Sequence, residues 1–130
     1  MNANAVFVYG TLRRGGSNHF RMAGADFLGE GKISGRMYQI EWYPALVCGG
    51  SRWVKGELYR LSDSTLGELD IFEGIHIDPL EVREYRRVRT MVTLSGGGRE
   101  EAWVWEWAGD VSHGRELEGE DWLAYEPNPS

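Results

Sequence analysis

Two places in this sequence combine residue types and spacing that could do chemistry. The first is the run 6–19, VFVYGTLRRGGSNH, where β-branched and aromatic residues give way to Gly10, Thr11, Gly15, Gly16, Ser17 and Asn18. Strand pairing must stop there, and Gly10 allows a close backbone approach that a Cβ would forbid. Successive N–H groups freed at a strand end can converge on an anionic oxygen, whether a carboxylate, a phosphate or an oxyanion in formation. A strand, a turn and a plain surface loop would give the same pattern, so the residues alone leave both readings open.

The second place is a carboxylate where an apolar residue belongs. Ser62, Asp63, Ser64 and Thr65 offer N-caps to a helix-compatible stretch reaching Phe72, with Gly74 suited to end it. At about 100° per residue, Leu66, Leu69 and position 73 fall on one face. Position 73 is Glu, Asp70 lies about 40° from Leu66 on the same wheel, and Glu68 points nearly opposite. An ionised carboxylate facing the interior is costly unless partnered, and desolvation would raise its pKa toward the range useful for proton transfer. The alternative is that Glu73 swings into water at the helix end and pairs with Arg86 or Arg87.

Several chemistries are excluded by pattern. No G-x-x-x-x-G-K-[ST] occurs, and Gly10, Gly15 and Gly16 are wrongly spaced for a dinucleotide fingerprint. No G-x-S-x-G elbow is present. His19, His76 and His113 lack metal-ligand spacing, so no metal site is expected. Cys48 is the single cysteine, which rules out an internal disulfide and a thiolate cluster; a small buried or half-buried thiol is expected.

The chain has 130 residues, 42% hydrophobic and 26% charged, which suits one soluble domain over 1–130. A net charge of −6 with dispersed basic residues argues against nucleic acid as a partner. No apolar run approaches the roughly 20 residues of a membrane helix, and the N-terminus lacks a signal-peptide layout, so no membrane partner and a cytoplasmic location are expected. The oligomeric state is left open.

The elements that must position the two features follow in order. A helical turn is expected near Asn18–Ala23, with Ser17 or Asn18 as cap. Phe27–Tyr43, broken by Gly29, Gly31 and Gly35, reads as a bent strand, and the aromatic run up to Pro44 reads as packing. Trp53–Arg60 reads as a strand with Gly56 as a candidate bulge. Arg83–Leu94 and Glu100–Trp107 form a hairpin through the glycines at 96–98, with Trp103, Trp105 and Trp107 on one face as core or as an aromatic platform. From about residue 110 a loosely structured tail is expected, pinned where 119–123, GEDWL, docks.

Taken together, VYGTL (8–12) with the RRGGSNH that follows, YPALV (43–47), VKGELYR (54–60), LGELDIFEG (66–74), YRRV (85–88) and GEDWL (119–123) resemble the gamma-glutamylcyclotransferase-like family. The resemblance implies an α+β fold, a small mixed β-barrel with short flanking helices and a ligand pocket at the YGTL strand end. It implies an enzyme that needs no cofactor, acting on a small-molecule γ-glutamyl amide or amine to give 5-oxoproline and a free amine. By motif position, Tyr9, Gly10, Thr11 and Leu12 would hold the γ-glutamyl group and Glu73 would be the catalytic acid/base, with Tyr85 a pocket wall. The opening motif looks like the branch acting on γ-glutamylamines such as γ-glutamyl-lysine, and the end of the chain like small bacterial members. The alternative reading is a binding module that senses a γ-glutamyl compound or small carboxylate without chemistry; a Trp-rich interaction protein is a third.

Overall fold

The computed structural model describes residues 4–40, 43–72, 85–108, 111, 114–117 and 119–124. Six strands and one α-helix organise them: β1 (Ala5–Val8), β2 (Asp26–Ile40), β3 (Tyr43–Arg60), α1 (Asp63–Phe72), β4 (Tyr85–Leu94), β5 (Arg99–Trp107) and β6 (Arg115–Glu116). The strands follow one another as β3-β1-β5-β4-β2, and a further β2–β3 pairing closes the ring into a five-stranded mixed barrel, with β6 added on the far side of β2. Only β1 against β5 is parallel. This is the α+β barrel that the resemblance implies. No helix among the described residues is long and apolar enough to cross a membrane.

Strand β1 is apolar on both sides because it is covered on both sides. Ala5 and Phe7 face the barrel interior with Ile33, Leu58, Val92 and Val104, whereas Val6 and Val8 join an outer cluster with Leu66 and Leu69 of α1. The two-residue period of β5 splits in the same way. Ala102 and Val104 face inward, while Trp105 is buried in the outer cluster and Trp103 and Trp107 pack against it. The tryptophan stripe is therefore core packing, as its period allowed, and Arg87 and Arg89 lie over the Trp103 ring at 4.5 and 4.3 Å.

The bends of β2 occur where its register with β3 shifts, between Phe27 and Gly29 and between Ser34 and Gly35. Gly56 is not a bulge, contrary to expectation: it pairs in register with Gly31. It is a close approach, since a Cβ there would lie 2.2 Å from the Val8 carbonyl oxygen and 2.5 Å from Phe7 Cζ. Ser62 caps α1, its Oγ accepting the Thr65 N–H at 3.1 Å. Leu66, Leu69 and Asp70 are the buried residues of that helix. Gly74, expected to end it, lies outside the described residues, as do Trp42, His76 and His113.

The described residues from 114 to 124 attach to the barrel at several points. Beyond β6, the Leu117 N–H donates to Met37 O at 2.8 Å, and the Lys55 N–H donates to Glu120 O at 2.8 Å. Trp122, in a 3₁₀ turn over Trp122–Ala124, has no solvent exposure and joins the barrel core.

Candidate functional site

At the C-terminal end of β1 the chain leaves the barrel and folds back on itself. The Arg13 N–H donates to Gly10 O at 3.1 Å, the Gly16 N–H to Arg13 O at 2.8 Å and the Asn18 N–H to Thr11 O at 2.9 Å. These bonds consume carbonyls, and none of them uses the N–H of Thr11 or Leu12; among the described residues those two amides meet no acceptor. Of the two expected caps, Ser17 and Asn18, Asn18 holds the N-cap position of the 3₁₀ turn His19–Met22 but makes no side-chain cap bond. Its amide instead donates to Thr11 Oγ1 at 3.1 Å, so it braces the turn it follows.

Three sequence-distant pieces meet at this strand end. A Cβ on Gly10 would lie 2.6 Å from Pro44 Cγ, so only glycine lets β1 pass that ring. The Tyr85 hydroxyl donates to Pro44 O at 2.5 Å, and its ring meets Trp107 edge-on at 5.3 Å. Tyr9, also buried, donates its hydroxyl to Trp105 O at 2.7 Å. Gly10 and Tyr85, named from two different motifs, thus meet at one proline, and Tyr9 and Tyr85 both reach the end of β5, at Trp105 and Trp107. The Leu12 side chain is buried in the outer cluster, and its carbonyl oxygen lies 2.8 Å from His19 Nδ1.

Among the described residues four charged ones are buried, and each has a partner. Asp70 is only 2% exposed; it accepts Trp105 Nε1–H at 2.9 Å and pairs with Arg87 at 3.1 Å. Glu106 takes Arg86 at 2.8 Å and the Cys48 N–H at 2.8 Å. Arg86 and Arg87, considered above as partners for Glu73, are thus engaged by other carboxylates. Arg13 pairs with Glu57 at 3.0 Å and with Asp121 at 2.5 Å. Glu57 also accepts the Arg14 N–H at 2.9 Å and the Tyr59 hydroxyl at 2.9 Å.

Two of these environments shift a titration. Burial, reinforced by Glu57, pushes the Tyr59 phenol up to about 12. Burial pushes the Cys48 thiol up to about 12 as well, with the Glu106 carboxylate adding to it. Cys48 is a protonated, half-buried thiol rather than a nucleophile, in line with its expected role.

Glu73 lies outside the described residues. The helix that precedes it in sequence is held at Asp70, whose indole partner Trp105 also receives the Tyr9 hydroxyl on its carbonyl. Arg13, Glu57 and Asp121 were not singled out from sequence. A signal existed for Glu57, which shares a strand face with Tyr59 by the two-residue period and so sets a charge on a half-apolar face. A separate cleft of about 230 Å³ opens between β2, β3 and the segment after β6, lined by Arg36, Arg52 and Trp53 among others, and shares no residue with the Gly10 turn.

The family model described as "Gamma-glutamyl cyclotransferase, AIG2-like" matches residues 6–124. The chain belongs to this family. Among its gamma-glutamylcyclotransferase-like relatives, the Escherichia coli K12 protein named gamma-glutamylcyclotransferase family protein YtfP is 32% identical over 91% of this chain and 95% of its own length. Among solved structures, an uncharacterized protein of Pyrococcus horikoshii superposes with a TM-score of 0.72 at 30% identity, covering 95% of this chain and 92% of that one. A Mus musculus aig2-like protein superposes with a TM-score of 0.76 at 27% identity, covering 91% and 88%. The gamma-glutamylcyclotransferase-like barrel thus spans nearly the whole chain.

Proposed function

We propose that this chain is a cytoplasmic gamma-glutamylcyclotransferase that works on γ-glutamyl amides or amines. The carrying observation is the chain of contacts from α1 to the Gly10 turn: Asp70 to Trp105, Trp105 to Tyr9, and Tyr9 into the turn whose Thr11 and Leu12 amides have no acceptor among the described residues. It supports the reading because it joins α1, whose described part ends one residue before Glu73, to a turn with two donors suited to a carboxylate or a developing oxyanion.

In the reaction, the substrate's α-amine attacks its own γ-carbonyl. A C–N bond forms to close the five-membered ring, and the bond to the leaving amine breaks, giving 5-oxoproline. Glu73 takes the proton that the α-ammonium must lose before it can attack, and returns one to the departing nitrogen. The Thr11 and Leu12 amides hold the substrate carboxylate or the oxyanion, and the ring of Tyr85 walls the pocket beside Pro44. Ring closure needs proton transfer and positioning only, so no metal or organic cofactor enters.

The test is incubation of the purified protein with a panel of γ-glutamyl dipeptides, amides and amines, measuring 5-oxoproline and the released amine by mass spectrometry. Equimolar appearance of both from at least one substrate is expected. Saturable binding of panel members with no 5-oxoproline would turn the reading into that of a sensing module.

A further inference from the structure

The Gly10 turn is held by a charged clamp that reaches it from the other end of the chain. Arg13, 9% exposed, is gripped on two sides: its Nε by Glu57 Oε2 at 3.0 Å, from the face of β3 that Glu57 shares with Tyr59, and its Nη1 by Asp121 Oδ1 at 2.5 Å. Asp121 is itself positioned. The same Oδ1 accepts the Leu123 N–H at 3.0 Å, the neighbouring Glu120 carbonyl is tied to the Lys55 N–H, and Trp122 is sunk in the barrel core. The backbone of the gripped residue closes the turn, because the Arg13 N–H is the donor to Gly10 O.

We infer that Asp121 is a positioning residue: acting through Arg13, it sets the direction of the Thr11 and Leu12 amides, so that the segment 119–124 completes the ligand site although it supplies no group to the substrate. The inference rests on the reading of that turn as the γ-glutamyl site. Its physical basis is that a guanidinium shared by two fixed carboxylates has its plane and reach determined at both ends, whereas one held by Glu57 alone can pivot about that pair. A pivot at Arg13 moves the N–H that closes the turn, and displacements of about 1 Å at a binding group are costly to catalysis.

The experiment compares Asp121→Asn and Asp121→Glu with Asp26→Asn, which removes an exposed ion pair to Arg60 on the barrel surface and serves as the control. Two readouts are taken. The first is the ¹⁵N-resolved amide spectrum of the ligand-free protein, which needs no activity. The second is KM and kcat with the γ-glutamyl compound turned over fastest by the wild type. Asp121→Asn is expected to shift the Gly10, Thr11 and Leu12 resonances and to raise KM roughly tenfold with a smaller change in kcat. Asp121→Glu should recover most of KM, and Asp26→Asn should leave both readouts unchanged. Unmoved turn amides in a folded Asp121→Asn protein would overturn the inference, as would moved amides with an unchanged KM. If the wild type turns over no panel member, the proposed activity fails while the amide spectrum still decides whether the clamp sets the turn.

Discussion

The barrel interior and the Gly10 turn are built on opposite principles although they share a strand. Phe7 is surrounded by Ile33, Leu58, Val92 and Val104, contacts that are non-directional and depend on volume. Three residues further along, the chain is held by the Pro44 ring, a turn bond to Gly10 O and the Arg13 guanidinium between two carboxylates, all of which depend on direction. The interior accordingly stabilises the fold, and the turn fixes where donors point. Damage to the first should appear as lost stability, and damage to the second as lost binding and turnover.

The comparison is broken most severely at the core. Phe7→Ala should cost about 4 kcal/mol in urea denaturation, with the activity of the remaining folded protein nearly unchanged. Asp70→Asn belongs to both regions. It removes the charge facing Arg87 and should cost about 3 kcal/mol, and it should also lower kcat/KM, because the Trp105 that Asp70 holds carries the acceptor for Tyr9. Gly10→Ala should act the other way round: its Cβ would meet Pro44, so kcat/KM should fall about 100-fold, or about 2.7 kcal/mol of barrier, with a much smaller shift in denaturation midpoint.

The smallest effect is alkaline. Cys48 and Tyr59 would ordinarily ionise near 9 and 10 and are pushed up to about 12 in the fold. The unfolded chain therefore releases these protons first. The stability is fully present below pH 9 and is lost as pH rises from there through about 12. Urea midpoints should decline over that window, and Cys48→Ala should flatten the lower part of the decline. In the native protein at pH 8, alkylation of Cys48 by iodoacetamide should be much slower than in urea.

Strands were readable where their periods were clean; the first half of β3, from Tyr43, was read as packing at a proline, and β6 was not expected. The split of β5 into inward Ala102 and Val104 and outward tryptophans follows from alternation alone, as does the helix face of Leu66 and Leu69. Closure of the barrel was not readable from periods, since the β2–β3 pairing that completes the ring joins edges that no local pattern relates. The resemblance supplied it. Gly56 was misread because a glycine that bulges a strand and one that admits a neighbouring backbone look the same until the neighbour, here Val8 and Phe7, is known. The turn proposed as the ligand site carried a signal because one motif, Tyr9 to Leu12, spans it. The Arg13 clamp was not, because its carboxylates come from positions 57 and 121, and an ion pair between residues so far apart leaves no local trace.

The central claim is that Glu73 moves the protons of a γ-glutamyl ring closure while the Gly10 turn holds the substrate. The most direct measurement is a parallel assay of wild type and Glu73→Gln, following 5-oxoproline by mass spectrometry and substrate binding by calorimetry. The account predicts that Glu73→Gln binds the substrate with affinity near that of the wild type and forms product at least about 100-fold more slowly. Undiminished turnover by a folded Glu73→Gln protein would contradict it.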